Sequence, residues 1–411
     1  MAAPPVTRGA PPRRAALRVI AGRGVARACI QLSLLALLPV WGADDFGRYV
    51  AATGTFAWLQ VLVLGVEKAA LTAIPRTPVL GAHVVRMLLV RATAPFVVAI
   101  AATAALAPVG GRPALYAAAA ANTAGLGLLA VLAAMHRLAD RPGRDSAGYV
   151  TYAAWVLAMG GLAVAGVLRP YGYLLALTAG LAVVCAAMAA LIPRHRPLRS
   201  RPGMAGLLNR RVLLLGFSDV ADAAGVSVLY IVLAATAPPA ESALVYVLIL
   251  ISSALGAFGV LVLRLIQPAT SLRLRGTAGG SGRALARRIA GWTAIAGGTV
   301  VLATVIARTV SGPAIGESRV LLGALVLVEM TAYCAVVYAV FLLENTNGAV
   351  LALTTAAALA GLTTTVGSAL VATATLGAVG AFLALVVGLA TKATTLHIRL
   401  STEDRRVTTG G

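Results

Sequence analysis

From about residue 20 to residue 396 the chain is a succession of apolar runs of roughly twenty residues, parted by short stretches carrying Gly, Pro and charge. A run of that length is what an α-helix needs to cross the hydrocarbon core of a bilayer, about 30 Å thick, with every backbone group satisfied internally. Hydrophobic residues make up 60% of the 411 and charged residues 11%. A soluble domain is roughly half apolar and about a quarter charged, so a globular fold would leave a large apolar surface with nothing but lipid to cover it. The alternative spanning structure, a β-barrel, needs segments of about ten residues alternating apolar and polar. Runs 212–235 and 349–370 show no such alternation. The expected fold class is therefore all-α, a polytopic membrane protein.

Twelve spans are expected: 22–41, 49–74, 84–107, 114–135, 148–168, 172–192, 211–236, 242–266, 286–307, 319–342, 349–371 and 374–396. Their connections are short and marked by breakers, as in Ala107-Pro108-Val109-Gly110-Gly111. The longest basic connection divides the chain into an N-terminal half of six helices (1–192), a cytoplasmic linker (193–210), a C-terminal half of six (211–396) and a cytoplasmic tail (397–411). Arg13, Arg14 and Arg18 ahead of the first apolar run resemble the start of a signal peptide. The run 25–41 nonetheless continues the pattern of spans and lacks an A-x-A cleavage signature, so it is read as an uncleaved first helix. Cys29, Cys185 and Cys334 each lie within an apolar run and are read as small packing residues.

The formal net charge is +21. The charge sits in short connections with no soluble basic domain behind it, so nucleic acid is not the expected partner. Membrane lipid is: basic residues accumulate in cytoplasmic loops, beside anionic headgroups. With both termini in the cytoplasm, the outer side holds Arg48, Arg112, Arg169, Arg308 and Arg319, and the remaining 29 of the 34 Lys and Arg fall on the inner side. One miscounted span would invert every later loop, so the asymmetry supports an even number of crossings. The implied location is a bacterial plasma membrane.

A charge inside a span is costly and tends to face a protein interior or a hydrated cavity. Arg23 and Arg27 lie one turn apart at the start of the first span, Glu67 and Lys68 two thirds along the second, and Arg264 near the end of the eighth. Glu67 and Lys68 point about 100° apart around their helix, which favours partners on other helices over each other. Asp219 and Asp222 share one face of the seventh span, where two carboxylates invite a cation, a proton or a basic side chain from another helix. Glu329 stands near the middle of the tenth. No phosphate-binding loop, metal-ligand cluster or catalytic constellation is visible, so neither a cofactor nor an enzymatic activity is expected.

The first 76 residues carry a further pattern: Gly22-Arg23-Gly24, an apolar helix, Gly42, Asp45-Phe46-Gly47-Arg48-Tyr49, Gly65, Glu67, then Ile74-Pro75-Arg76. This resembles the N-terminal region of polysaccharide-biosynthesis flippases of the multidrug/oligosaccharidyl-lipid/polysaccharide (MOP) exporter superfamily, although Pro39-Val40-Trp41-Gly42 stands where that family has R-x-L-G. The resemblance implies movement of an undecaprenyl-diphosphate-linked oligosaccharide between leaflets, in association with polysaccharide assembly machinery. Arg23, Arg27, Arg264, Glu67 and Lys68 would then bind substrate, since a diphosphate suits the planar guanidinium fork. Asp219, Asp222 and Glu329 would gate the halves or bind a coupling H⁺ or Na⁺. A small-molecule/cation antiporter of the related MATE type, or a non-transporting subunit of a glycopolymer assembly complex, shares the same plan. An acidic cavity lining would favour the antiporter, an Arg-rich one the diphosphate lipid. The charge distribution carries its own test: a reporter fused after Arg406 should read as cytoplasmic, and a periplasmic readout would overturn the assigned orientation.

Overall fold

The computed structural model describes residues 13–74, 81–192, 204–274, 279–311, 318–346 and 351–409, and among them there is no strand. Twelve α-helices follow one another: α1 (Arg13–Thr55), α2 (Ala57–Ala73), α3 (Gly81–Leu106), α4 (Gly111–Leu138), α5 (Pro142–Val164), α6 (Pro170–Ala190), α7 (Met204–Thr236), α8 (Pro239–Arg273), α9 (Gly279–Ser311), α10 (Arg319–Glu344), α11 (Leu351–Ser368) and α12 (Ala374–Thr409). One turn of π-helix, Ala369–Thr373, joins the last two.

Helix boundaries and membrane crossings do not coincide at two places. The described residues form ten apolar helical stretches long enough to cross a membrane, of which Leu17–Ala73 has 57 residues and Ala352–Glu403 has 52. At 1.5 Å per residue either would run to roughly 80 Å, against about 30 Å of hydrocarbon. Each turns back once. Gly42 (φ 71°, ψ 172°) reverses the chain within α1, and Gly377 (φ 53°, ψ −127°) does so within α12. The first two crossings are therefore 13–41 and 43–73, the last two 351–376 and 378–409, and the described residues make twelve crossings in all. The protein is an all-α, multi-pass membrane protein. The linker expected at 193–210 lies outside the described residues as far as 203, and α7 begins at Met204. α12 runs on to Thr409, so residues expected to form a tail from 397 onward continue the last helix.

The chain forms two compact units, one of residues 1–216 with 264–269, the other of 217–263 with 270–411. In the first, α4 is the central helix. It packs against α2, α3, α5 and α6 and is buried along nearly its whole length. Its sequence, Ala- and Gly-rich from Ala117 to Ala134, lets neighbouring backbones approach closely. α3 shows the opposite condition: Val90, Val97, Val98 and Ile100 are exposed, as expected of a lipid-facing surface. In the second unit α12 is central, packed against α9, α10 and α11, with Phe382, Val386, Ala393 and Leu396 fully buried.

The break at Gly42 is braced by aromatic side chains. Trp41 donates its indole N–H to the Leu168 carbonyl (3.3 Å), and its ring meets those of Tyr49 and Tyr173 at 5.5 Å. Phe46, fully buried, lies against Tyr49. The Phe46-Gly47-Arg48-Tyr49 sequence is thus part of the packing that fixes the turn. Asp45 pairs with Arg48 (3.4 Å) and Arg169 (3.8 Å) on its exposed side. A Cβ at position 42 would meet nothing within 4 Å, so only the backbone conformation demands glycine there. Gly42→Ala should accordingly cost about 1–3 kcal/mol, read as a lowered melting temperature in detergent; an unchanged melt would show that the turn tolerates a side chain.

Candidate functional site

In the first unit four charged side chains from four helices meet inside the protein. Arg23 (α1) donates Nε to Asp145 Oδ1 at 3.1 Å and Nη2 to Oδ2 at 3.2 Å, a two-pronged grip on one carboxylate. Arg137 (α4) approaches the same carboxylate, Nε 3.0 Å from Oδ2, and donates Nη2 to Glu67 Oε1 at 2.8 Å. Glu67 (α2) lies 3.7 Å from Arg23 Nη1, closing the square. Asp145 (α5) is fully buried, Glu67 nearly so, and Arg23 and Arg137 largely so. The Tyr149 ring lies 4.8 Å from the Arg23 guanidinium carbon, one turn along α5 from Asp145. Two cations and two anions leave the cluster neutral. Burial of such charges is tolerated only when each is paired and hydrogen-bonded.

Local sequence places each member. α5 starts with Pro142, favoured in a first helical turn, and Asp145 follows within that turn, near the helix's partial positive end. Arg137 stands in the last turn of α4, where the partial charge is negative. The α1–α5 crossing depends on Gly22: a Cβ there would come 2.8 Å from the Ser146 Cβ. The next residues along the two helices, Arg23 and Asp145, are thereby brought together. Ser146 secures the crossing by donating its hydroxyl to the Arg18 carbonyl at 3.0 Å.

In the second unit Lys392 (α12) donates Nζ to both oxygens of Asp222 (α7), at 2.8 and 2.7 Å. Glu329 (α10) faces α8 with the Ser252 hydroxyl against it, and its Oε2 is buried without a hydrogen-bond partner. One turn farther on both helices, the Tyr333 ring packs where a Cβ on Gly256 would fall.

Of the residues expected from sequence, Arg23 and Glu67 come together and Asp222 finds a cation on another helix. Lys68 is buried beside them in sequence, on a different face of α2. Arg27 is exposed, one turn beyond Arg23. Arg264 is buried and donates to Gln267 Oε1 at 3.1 Å. Asp219 is half-buried one turn before Asp222.

The sequence matches no protein-family profile and no curated protein sequence. Solved structures do match over the whole chain. A MOP superfamily transporter from Pyrococcus furiosus, described as having a binding pocket of reverse polarity, aligns with a TM-score of 0.59 and 15% identity over 99% of each chain. An outward-facing multidrug resistance MATE family transporter of the same superfamily aligns with a TM-score of 0.59 and 15% identity over 98% of each. An inward-facing one gives 0.56 and 14%, covering 95% of this chain and 99% of that one. The fold is that of MOP-superfamily transporters.

Within this MOP fold, sequence reading missed Arg137, Asp145 and Lys392 as site residues. By sequence Arg137 and Lys392 belong with the basic residues of the inner side, and Asp145 falls between the fourth and fifth expected spans. The signal for Asp145 was the Pro142–Asp145 pattern of a helix start. For Lys392 it was position, four residues inside the end of the expected span. The cluster's worth is measurable. Asp145→Ala strands two buried guanidinium groups and should cost about 3–5 kcal/mol. Asp45→Ala, which breaks only exposed pairs, should cost about 0–1 kcal/mol. Thermal unfolding of both variants in detergent checks the contrast, and equal losses would show that the cluster carries no special weight.

Proposed function

We propose that the chain is a transporter that moves an undecaprenyl-diphosphate-linked oligosaccharide from the inner to the outer leaflet of a bacterial plasma membrane, with both termini cytoplasmic and without enzymatic chemistry of its own. One observation carries the choice of an anionic cargo. Glu67 and Asp145 in the first unit and Asp222 in the second each have a Lys or Arg nitrogen at 2.7–3.0 Å. A cation carrier works through a carboxylate that is open to its ion. Here these carboxylates are already compensated, and they serve to hold cationic side chains in the low-dielectric interior. The overall excess of Arg and the exposed Arg27 beside the cluster suit a diphosphate headgroup. The sequence resemblance to polysaccharide flippases supports the same cargo, and assembly enzymes for the polymer are the expected partners.

A second reading, a MATE-like small-molecule/cation antiporter, is favoured by Glu329, whose buried Oε2 lacks a hydrogen-bond partner. The two readings separate in proteoliposomes of the purified chain. Transfer of a labelled undecaprenyl-diphosphate oligosaccharide between leaflets is expected, reduced about tenfold or more in Arg27→Glu, a change of at least ~1.4 kcal/mol in barrier. No lipid transfer, together with gradient-driven uptake of an organic cation that Glu329→Gln abolishes, would replace the flippase with the antiporter.

A further inference from the structure

In the second unit α9 packs against α10 and α12 and turns another face outward. Leu285, Arg288, Trp292, Ile295 and Thr299 recur along that face at every third or fourth residue, and the row continues to Ile306; all are exposed. Side chains at that spacing share one side of a helix. In a membrane protein such a side meets acyl chains, which offer no hydrogen bonds. Arg288 is the only charged residue in the row. Trp292, one turn farther along, is 73% exposed.

α12 brings a second polar ring to the same point. The His397 ring lies where a Cβ on Gly291 would fall, 2.8 Å from Nδ1, and Nδ1 is 3.1 Å from the Arg287 carbonyl oxygen. A carbonyl only accepts, so Nδ1 donates, and Nε2 is the ring's remaining polar atom. The residue itself is exposed. Gly291 and Arg287 are the immediate neighbours of Trp292 and Arg288, so guanidinium, imidazole and indole come within about one helical turn of each other. Their depth agrees as well. The apolar runs 286–307 and 374–396 place Arg288 at the start of one span and His397 at the end of another, at the same edge of the hydrocarbon. Arginine stems at that depth carry their charge to the headgroups, and tryptophan favours the same level. A guanidinium fork fits two oxygens of a phosphate.

We propose that the cytoplasmic ends of α9 and α12 form a binding site for an anionic phospholipid. Arg288 takes the phosphodiester, His397 lies beside it through Nε2, and Trp292 packs at the level of the glycerol esters. One acyl chain then follows Ile295 and Thr299 toward Ile306. A zwitterionic lipid carries its own cation beside the phosphate and leaves Arg288 uncompensated, so the site selects for net negative charge. The occupant is a resident lipid and not the cargo. Only its assignment to the inner leaflet rests on the proposed cytoplasmic termini, which the reporter fusion tests separately.

The test places the full-length chain in nanodiscs of phosphatidylcholine with a minor fraction of tail-brominated phosphatidylglycerol or, in parallel, of tail-brominated phosphatidylcholine. Bromine quenches tryptophan on contact. The native chain should be quenched more by the brominated phosphatidylglycerol, and Trp292→Phe should remove that excess. Arg288→Gln should weaken the preference about fivefold, whereas Arg112→Gln, an exposed arginine elsewhere, should leave it unchanged. In detergent, added phosphatidylglycerol should raise the melting temperature of the native chain by about 2–4 °C, and inorganic phosphate at the same concentration should not. Equal quenching of the native chain by the two lipids would overturn the proposal without recourse to any variant. So would an excess that survives in Trp292→Phe or Arg288→Gln, or a melting shift that free phosphate reproduces.

Discussion

Asp145 is the carboxylate on which the first unit closes. It is fully buried, it grips Arg23 of α1 with both oxygens, and it stands within 3.0 Å of Arg137 of α4. Removing it would leave two largely buried guanidinium groups without their shared carboxylate, so the positions of α1, α4 and α5 near this point are not independent of one another. Glu67 extends the same dependence to α2. Apolar packing between membrane helices is weakly directional, because lipid offers the same apolar contacts as protein. A neutral ring of four charges supplies the direction that packing lacks.

The second unit solves the same problem with a smaller device. One ammonium on one carboxylate ties α12, its central helix, to α7. In both units carboxylates hold cationic side chains: Glu67 and Asp145 in the first, Asp222 in the second. That pairing fits the excess of basic over acidic residues in the sequence.

The architecture was largely legible in the sequence because its cause is local. Twenty apolar residues in a row satisfy the length of a span without reference to any other part of the chain, and all twelve expected spans recur among the described helices. The first turn was legible because Gly42 stands between two apolar runs; the second, at Gly377, falls three residues inside the span expected to start at 374. The sites were legible in part. Arg23, Glu67, Asp222 and Glu329 announce themselves as charges deep in apolar runs. Arg137 and Asp145 do not, because each lies at a helix end, where a charge is ordinary. The Gly22–Ser146 crossing, a long-range contact, brings α1 against the start of α5 beside Asp145. Lys392 was hidden differently: a lysine near a helix terminus reads as a headgroup anchor until the helix proves to continue to Thr409.

The reversals at Gly42 and Gly377 are made by single residues, with helix resuming immediately on either side. Such a corner has no slack. It cannot take an insertion without unwinding the helices it joins. At these two corners, diversification would proceed by exchanging side chains along the helix walls rather than by remodelling loops.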